Sequence, residues 1–172
     1  MNDFTVKLGQ ITTGKNSFCF EVKDQFFEAF NFSDFEHANI TAIATLTKHG
    51  ENISLNLSVK GQINKLACDI CTDDLSVRIS GEADIIIKKN EEDLLSTDEI
   101  FYMKKTDHQL DLRHLIFELI VVNVPKKRQH ALDKQGNSTC NKEMVDLVNK
   151  YTQIKEKASD DRWDALKKIE LK

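Results

Sequence analysis

Proline occurs once and glycine six times in 172 residues, which excludes collagen-like, mucin-like and low-complexity chains and leaves little room for a glycine-rich nucleotide cradle. Long apolar runs are missing too. The longest, Leu115–Val122, is broken by Glu118 and stops short of Pro125, whereas a bilayer-spanning helix needs ~20 residues. There is no excess of base: 24 Lys and Arg stand against 28 Asp and Glu. The chain therefore has no global positive field that would by itself mark a nucleic-acid binder, and any such contact has to be local. The signatures G-x-S-x-G, H-E-x-x-H and G-x-x-x-x-G-K-[ST] do not occur, so the hydrolase and nucleotide-hydrolysing readings lose their support and no enzyme is expected. The opening MNDFTVKLGQITTGKN has neither a basic stretch leading into an apolar one nor an Arg- and Ser-rich amphipathic segment. A cytoplasmic location, away from membranes, is the expectation.

What is present predicts a single α+β domain over residues 1–172, strand-rich over 1–105 and helical over 106–172. At this length folding can bury roughly 70% of the unfolded chain's surface, so a core forms without disulfide staples. Ile53, Leu55, Leu57 and Val59 alternate with Ser54, Asn56, Ser58 and Lys60, the period of a half-buried strand. Similar runs at 40–48, 63–69 and 75–89 predict a curved antiparallel β-sheet, partly barrel-like, with turns at His49–Asn52 and Lys60–Gln62. Gly81 predicts a bulge or bend within the last run. Phe26, Phe27, Phe30 and Phe32 form an aromatic patch with few interleaved bases, which reads as core packing rather than a base-stacking platform. Residues 90–99 carry five acidic side chains and no base, the composition of a solvated loop.

The period then changes to that of a helix. Leu112, Leu115, Ile116, Leu119 and Ile120 make one stripe behind a capping Asp111, with Pro125 beyond its end. A second helix is expected over 142–157 with Met144, Val145, Leu147 and Val148 as its apolar side. A third, short one over 162–169 would place Trp163, Leu166 and Ile169 on one face. Two or three C-terminal helices thus follow the sheet, a segregated order typical of the α+β class.

Four cysteines without an export signal belong to a reducing compartment, where thiolates serve metals or redox chemistry more often than disulfides. Cys68 and Cys71 are three apart between two strands, so a tight turn can aim both at one ion with Zn–S near ~2.3 Å, which is half of a tetrahedral site. The polar loop after Pro125 offers His130 and Cys140 as the other half, and zinc is the expected ion. Two alternatives stay open: ordinary reduced cysteines facing opposite sides of the hairpin, and a redox dithiol, although strand-like flanks lack the helix dipole that lowers a thiol's pKa in such motifs. Cys19, between Phe18 and Phe20, reads as a small buried hydrophobe. His108 and His114 have no nucleophile beside them and read as surface or helix-start residues. Between 104 and 130 the bases Lys104, Lys105, Arg113, Lys126, Lys127 and Arg128 outnumber Asp107, Asp111 and Glu118, so this stretch is the candidate for holding RNA phosphates. Arg162, Trp163 and Lys167 are candidates for docking a protein partner.

Three blocks in fixed order, CDIC, then LDLRHLIFELIVVNVP with HALDKQGNSTC after it, then DDRWDALKKI, resemble the large ribosomal RNA subunit accumulation proteins of the YceD type. The likeness spans roughly residues 60–172 and rests on the order and spacing of the blocks. By position it puts the family's paired cysteines on Cys68 and Cys71, its helix start on Asp111 and Leu112, its helix glutamate on Glu118, its proline on Pro125, and its downstream His and Cys on His130 and Cys140. The resemblance implies a noncatalytic role in accumulation or processing of large-subunit rRNA, with that rRNA, a pre-ribosomal particle or a ribosomal protein as partner. A module that docks its C-terminal helix on a ribosomal or assembly protein without touching RNA is the alternative, ahead of a C-x-x-C redox protein. Asp-Asp-Arg stands at 160–162 where relatives carry proline, and aspartate serves a helix start equally well.

Overall fold

The computed structural model describes residues 4–50, 52–91, 94–97 and 99–152. In chain order it has β1 (Thr5–Lys7), β2 (Gly14–Val22), α1 (Asp24–Glu28), β3 (Glu36–His49), β4 (Asn52–Ala67), β5 (Asp74–Asn90), β6 (Ile100–Lys104), β7 (Gln109–Asp111), α2 (Arg113–Val122) and α3 (Lys142–Thr152). The order is α+β, as the sequence predicts. The third helix expected over 162–169, with Arg162, Trp163 and Lys167, lies outside the described residues.

The main sheet runs β2-β3-β4-β5-β6. Period-two patterning decides its faces: Ile40, Ala42, Ala44 and Leu46 of β3 and Ile53, Leu55, Leu57 and Val59 of β4 are all buried. The serines, threonines and asparagines between them face outward. Gly50, at φ 63, turns β3 into β4 with His49 opposite Asn52. On the apolar face α2 packs against β4 and β5, with Leu112, Ile116 and Ile120 inaccessible. The β-branched end Ile120-Val121-Val122 stays helical. The phenylalanines pack in the core, as expected: Phe30, just after α1, stacks on Phe117 of α2 at 4.3 Å and Phe27 of α1 stands 6.4 Å from the same ring, tying α1 to α2. Short strands β1 and β7 pair antiparallel, and the Leu112 amide donates to the Phe4 carbonyl at 3.0 Å. The N-terminus is thereby sewn to the start of α2. Asp111 accepts the Arg113 amide at 2.9 Å and its guanidinium as well. That guanidinium holds the Asp111 carboxyl below the usual carboxylate range.

Several expectations are corrected. The sheet is not closed into a barrel: β2 and β6 remain its edges among the described residues. Nor is it purely antiparallel, because β6 runs parallel to β5 with Ile100 beside Ile86. Just before β6 the Glu99 carbonyl receives the Ile86 amide at 2.8 Å. Lys60–Gln62 is no turn, since β4 passes straight through Gly61 opposite Ile40. A Cβ on Gly61 would stand 2.3 Å from the Asn39 carbonyl oxygen and 2.5 Å from Ile40 Cα, so glycine is there for close strand approach. Gly81 forms no bulge either. It pairs in register with Val59 and leaves room for Asn123 at the end of α2, whose side chain a Cβ would meet at 2.2 Å. The irregularities lie at His37 and Lys65, both at φ 54, where the register slips between Glu36 and Ala38 and between Ile63 and Leu66.

Because β4 and β5 have 16 and 17 residues, at ~3.3 Å per residue their hairpin is about 50 Å long measured along the strands. Its closed end carries Cys68 and Cys71. Gly61→Ala is expected to lower the unfolding free energy by about 1–3 kcal/mol in urea titration. Gly9→Ala, whose Cβ meets nothing within 4 Å, should change it by less than about 0.5 kcal/mol.

Candidate metal centre

The knuckle between β4 and β5 is a tight loop. After the last pair, Ala67 with Asp74, the Cys68 amide donates to the Asp73 carbonyl at 3.0 Å and the Thr72 amide to the Cys68 carbonyl at 2.9 Å. Thr72 sits at φ 62, a left-handed conformation uncommon for a β-branched residue, and its hydroxyl donates to the Cys71 carbonyl at 2.6 Å. The fold of this loop brings both thiols to one side.

The segment after α2 makes a second small hairpin. Leu132 and Ser138 form an antiparallel bridge, and Thr139 Oγ1 donates to the Ala131 carbonyl at 2.7 Å. Asp133 builds the tip: its Oδ1 accepts the Gln135 and Asn137 amides, both at 2.8 Å, and Gly136 turns at φ 86. Those amides keep the Asp133 carboxyl below its ordinary range, Asn137 contributing most. Antiparallel register then sets His130 across from Cys140 at the open end. Asn141 follows as the cap of α3, accepting the Glu143 amide at 3.0 Å. A third feature clamps the two hairpins: the Asp69 amide donates to the Arg128 carbonyl at 2.7 Å and the Arg128 amide to Asp69 Oδ2 at 2.6 Å. Arg128 Nε stands 3.8 Å from Asp69 Oδ1.

The ligand atoms of Cys68, Cys71, His130 and Cys140 all lie within 4.8 Å of one another. Cys68 Sγ and Cys140 Sγ are 3.7 Å apart, while His130 Nδ1 is 3.4 Å from Cys71 Sγ and 3.6 Å from Cys140 Sγ. A tetrahedron built on metal–sulfur bonds of ~2.3 Å and metal–nitrogen bonds of ~2.05 Å has S–S edges near ~3.8 Å and S–N edges near ~3.6 Å. The spacing is that of a site able to hold a metal ion. His130 Nε2 faces the Asp74 carbonyl at 3.3 Å, the outer contact that fixes which ring nitrogen points inward. The three cysteines are buried at 1%, 2% and 6% exposure, with Ile70, Met144 and Val145 packed around them.

Electrostatics ease loss of the proton at two of the four donors, Cys68 and Cys140, and oppose it at Cys71 and His130. Burial pushes the Cys68 thiol up, but the backbone amides of Cys71, Ile70 and His130 outweigh it and bring the thiol down to about 6. The Ser138 hydroxyl, against burial and with His130, lowers Cys140. Burial raises Cys71, and the neighbouring Cys140 and Cys68 raise His130. A lowered Cys68 suits a redox thiol as well as a metal ligand, yet at 1% exposure it lacks the access that an attacking thiolate needs.

The other predicted residues do not share one surface. Lys126 and Lys127 are exposed beside the clamp, and Arg128 is half-buried in it. Lys104 is opposite Asn90, at the far end of β5 from the cysteines, and Lys105 pairs with Glu91 at 2.7 Å. Arg113 binds Asp111 at the other end of α2 from Pro125. Glu118 is exposed, as are His108 and His114, the latter edge-on to Phe30 at 5.2 Å. Cys19 is exposed rather than buried, a correction that follows from its place on the outward face of β2. Asp69 and Asp133 were not foreseen. The D-x-x-G-N pattern from Asp133 to Asn137 signals such a turn, but nothing local to Asp69 signals a partner 59 residues away.

A family model described as large ribosomal RNA subunit accumulation protein YceD matches residues 55–170. The chain belongs to the YceD family. No curated protein and no solved structure matches it. The YceD match contains both hairpins of the candidate metal centre, α2 and α3, and leaves out β1, β2, α1 and β3. YceD membership associates the chain with accumulation of the large ribosomal subunit's rRNA. Among the described residues no helix is long and apolar enough to cross a membrane.

Proposed function

We propose that this chain is a noncatalytic, cytoplasmic factor in the accumulation or processing of large-subunit rRNA, and that it binds RNA or a pre-ribosomal particle as one folded unit. The observation that carries the reading is the coincidence of the YceD match with a group of three cysteines and one histidine at tetrahedral spacing. The ion is zinc: thiolate and imidazole donors in a closed four-ligand set are the zinc combination, and a set with no open position is structural rather than catalytic. Its role is to hold the loop after Pro125 against the end of the β4–β5 hairpin. Lys126 and Lys127, exposed on that loop, then form part of a fixed surface. Two bases held in place gain more from phosphate contact than two on a wandering loop, since less ordering entropy is lost on binding.

A second reading is favoured by α3, which buries none of its residues and leaves Leu147 and Tyr151, one turn apart, 48% and 77% exposed. An apolar pair at that spacing suits docking on a ribosomal or assembly protein. Salt titration separates the two. In the RNA reading, log affinity for large-subunit rRNA falls linearly with log salt, and the Lys126→Ala, Lys127→Ala variant weakens binding and flattens the slope by roughly 1–2. Absence of RNA binding at low salt would leave the protein-docking reading.

The zinc assignment has its own test. The purified full chain should hold one zinc, lost in Cys68→Ser and Cys140→Ser. Asp69→Ala removes no ligand, only the carboxylate half of the clamp, the residue's amide still reaching the Arg128 carbonyl, and is expected to weaken zinc binding about 10-fold in competition with a chromogenic chelator.

A further inference from the structure

The two edges of the main sheet are treated differently. Along β6, Lys105 donates its amide to Asn90 of β5 at 3.0 Å, so the amides of alternate residues turn outward. Each is capped by a nearby side chain: Ile100 by Thr97 Oγ1 at 3.1 Å, Tyr102 by Ser96 Oγ at 3.0 Å and Lys104 by Asp107 Oδ2 at 3.0 Å. This edge is closed to another strand. Among the described residues β2 has fewer of the usual protections, chiefly its charged Lys15 and Glu21. It is nine residues long without proline, and its register with β3 is unbroken from Gly14–Lys48 to Val22–Ile40. From Lys15 to Phe20 no described side chain caps its outer backbone; the Asn16 side chain turns back to the residues before it, its Nδ2 donating to the Thr12 carbonyl at 2.8 Å and the Gly14 carbonyl at 3.1 Å and its Oδ1 accepting the Thr12 amide at 3.1 Å.

We propose that the outer edge of β2 pairs antiparallel with β2 of a second copy of this chain, about a two-fold axis at Phe18, joining two five-stranded sheets into one. Charge selects the partner and the register. Lys15, Ser17, Cys19 and Glu21 are the exposed side chains of β2's outward face. With Phe18 opposite Phe18, Lys15 stands across from the partner's Glu21 and Glu21 across from the partner's Lys15, two opposite-charge cross-strand pairs. A two-residue slip one way sets Lys15 against the partner's Lys23, and the other way against the partner's Cys19. A one-residue slip exchanges the faces, and parallel pairing opposes like charges. Glu21 also contacts Lys23 of its own chain at 3.0 Å, which holds its carboxylate at this edge. The half-buried Phe18 side chains add an aromatic pair at the axis, on the apolar side of the sheet. β2 lies outside residues 55–170, so this pairing stands or falls independently of the ribosomal reading.

Sedimentation equilibrium of the zinc-loaded full chain over a range of concentrations tests it. The apparent mass should rise from 19.7 kDa toward twice that value. Lys15→Glu, which converts both pairs to like-charge ones, is expected to raise the dissociation constant about tenfold. The Lys15→Glu, Glu21→Lys exchange should restore it. In Ser17→Cys, the new thiol and the partner's Cys19 face each other directly. Diamide, by accepting two electrons and two protons per disulfide formed, should then give a covalent dimer on non-reducing gels. The unaltered chain should not crosslink, because its Cys19 residues are diagonal neighbours at about 7–8 Å, beyond disulfide reach. All these positions are exposed, so folding is not at stake. A monomer at every concentration, a dimer indifferent to Lys15→Glu, or a dimer that the charge exchange fails to restore overturns the proposal.

Discussion

The attachment of the chain beyond Pro125 rests on the meeting of four ligand atoms. Between Pro125 and Thr152 the only buried residue among those described is Cys140. α3 buries nothing completely, and the hairpin around Gly136 is exposed throughout. The hydrophobic effect, at roughly 25 cal/mol per Å² of apolar surface removed from water, has little surface to act on here. What remains is the Asp69–Arg128 clamp and a pocket of three thiols and an imidazole. Sulfur atoms 3.7 Å apart make weak hydrogen bonds at best. A cation bound by four donors would be an interaction strong enough to hold such a segment, and the spacing of the four atoms suits one.

The rest of the molecule does not need that ion. The main hydrophobic cluster includes the sheet, α1 and α2 and stays separate from the small one around the cysteines. In the zinc reading proposed above, loss of the ion would therefore free the segment after α2 without dissolving the core. The long β4–β5 hairpin makes the division spatial: its closed end carries the cysteines, and its other end meets β6 and the acidic loop about 50 Å away along the strands. Bases close in sequence, such as Lys105 and Lys126, consequently fall in different neighbourhoods. A charge count along the chain cannot see this, since proximity in sequence implies proximity in space only within one element.

Much of the fold was legible because period-two alternation in β3 and β4 and the helical stripe from Leu112 to Ile120 each admit one burial pattern. Gly61 and Gly81 misled for a shared reason. Glycine suits turns and bulges, but it also suits any place where a neighbour must come closer than a Cβ permits, and here the neighbours were Ile40 and Asn123, distant in sequence. The parallel pairing of β6 was hidden in a loop whose composition says only that it is polar. For the site, C-x-x-C with a downstream His and Cys was enough to name the four residues that the fold brings together. The device that aligns them was not visible: the Asp69 carboxylate holding the Arg128 backbone is a long-range hydrogen bond between ordinary surface residue types.

X-ray absorption at the metal edge of the zinc-loaded full chain tests this account most directly. Three sulfurs near ~2.3 Å and one nitrogen near ~2.0–2.1 Å, with no oxygen in the inner shell, is the expected result. A shell dominated by oxygen or nitrogen, or one with only two sulfurs, would mean that the two hairpins are not joined through a common ion, and the structural role assigned to the centre would be wrong.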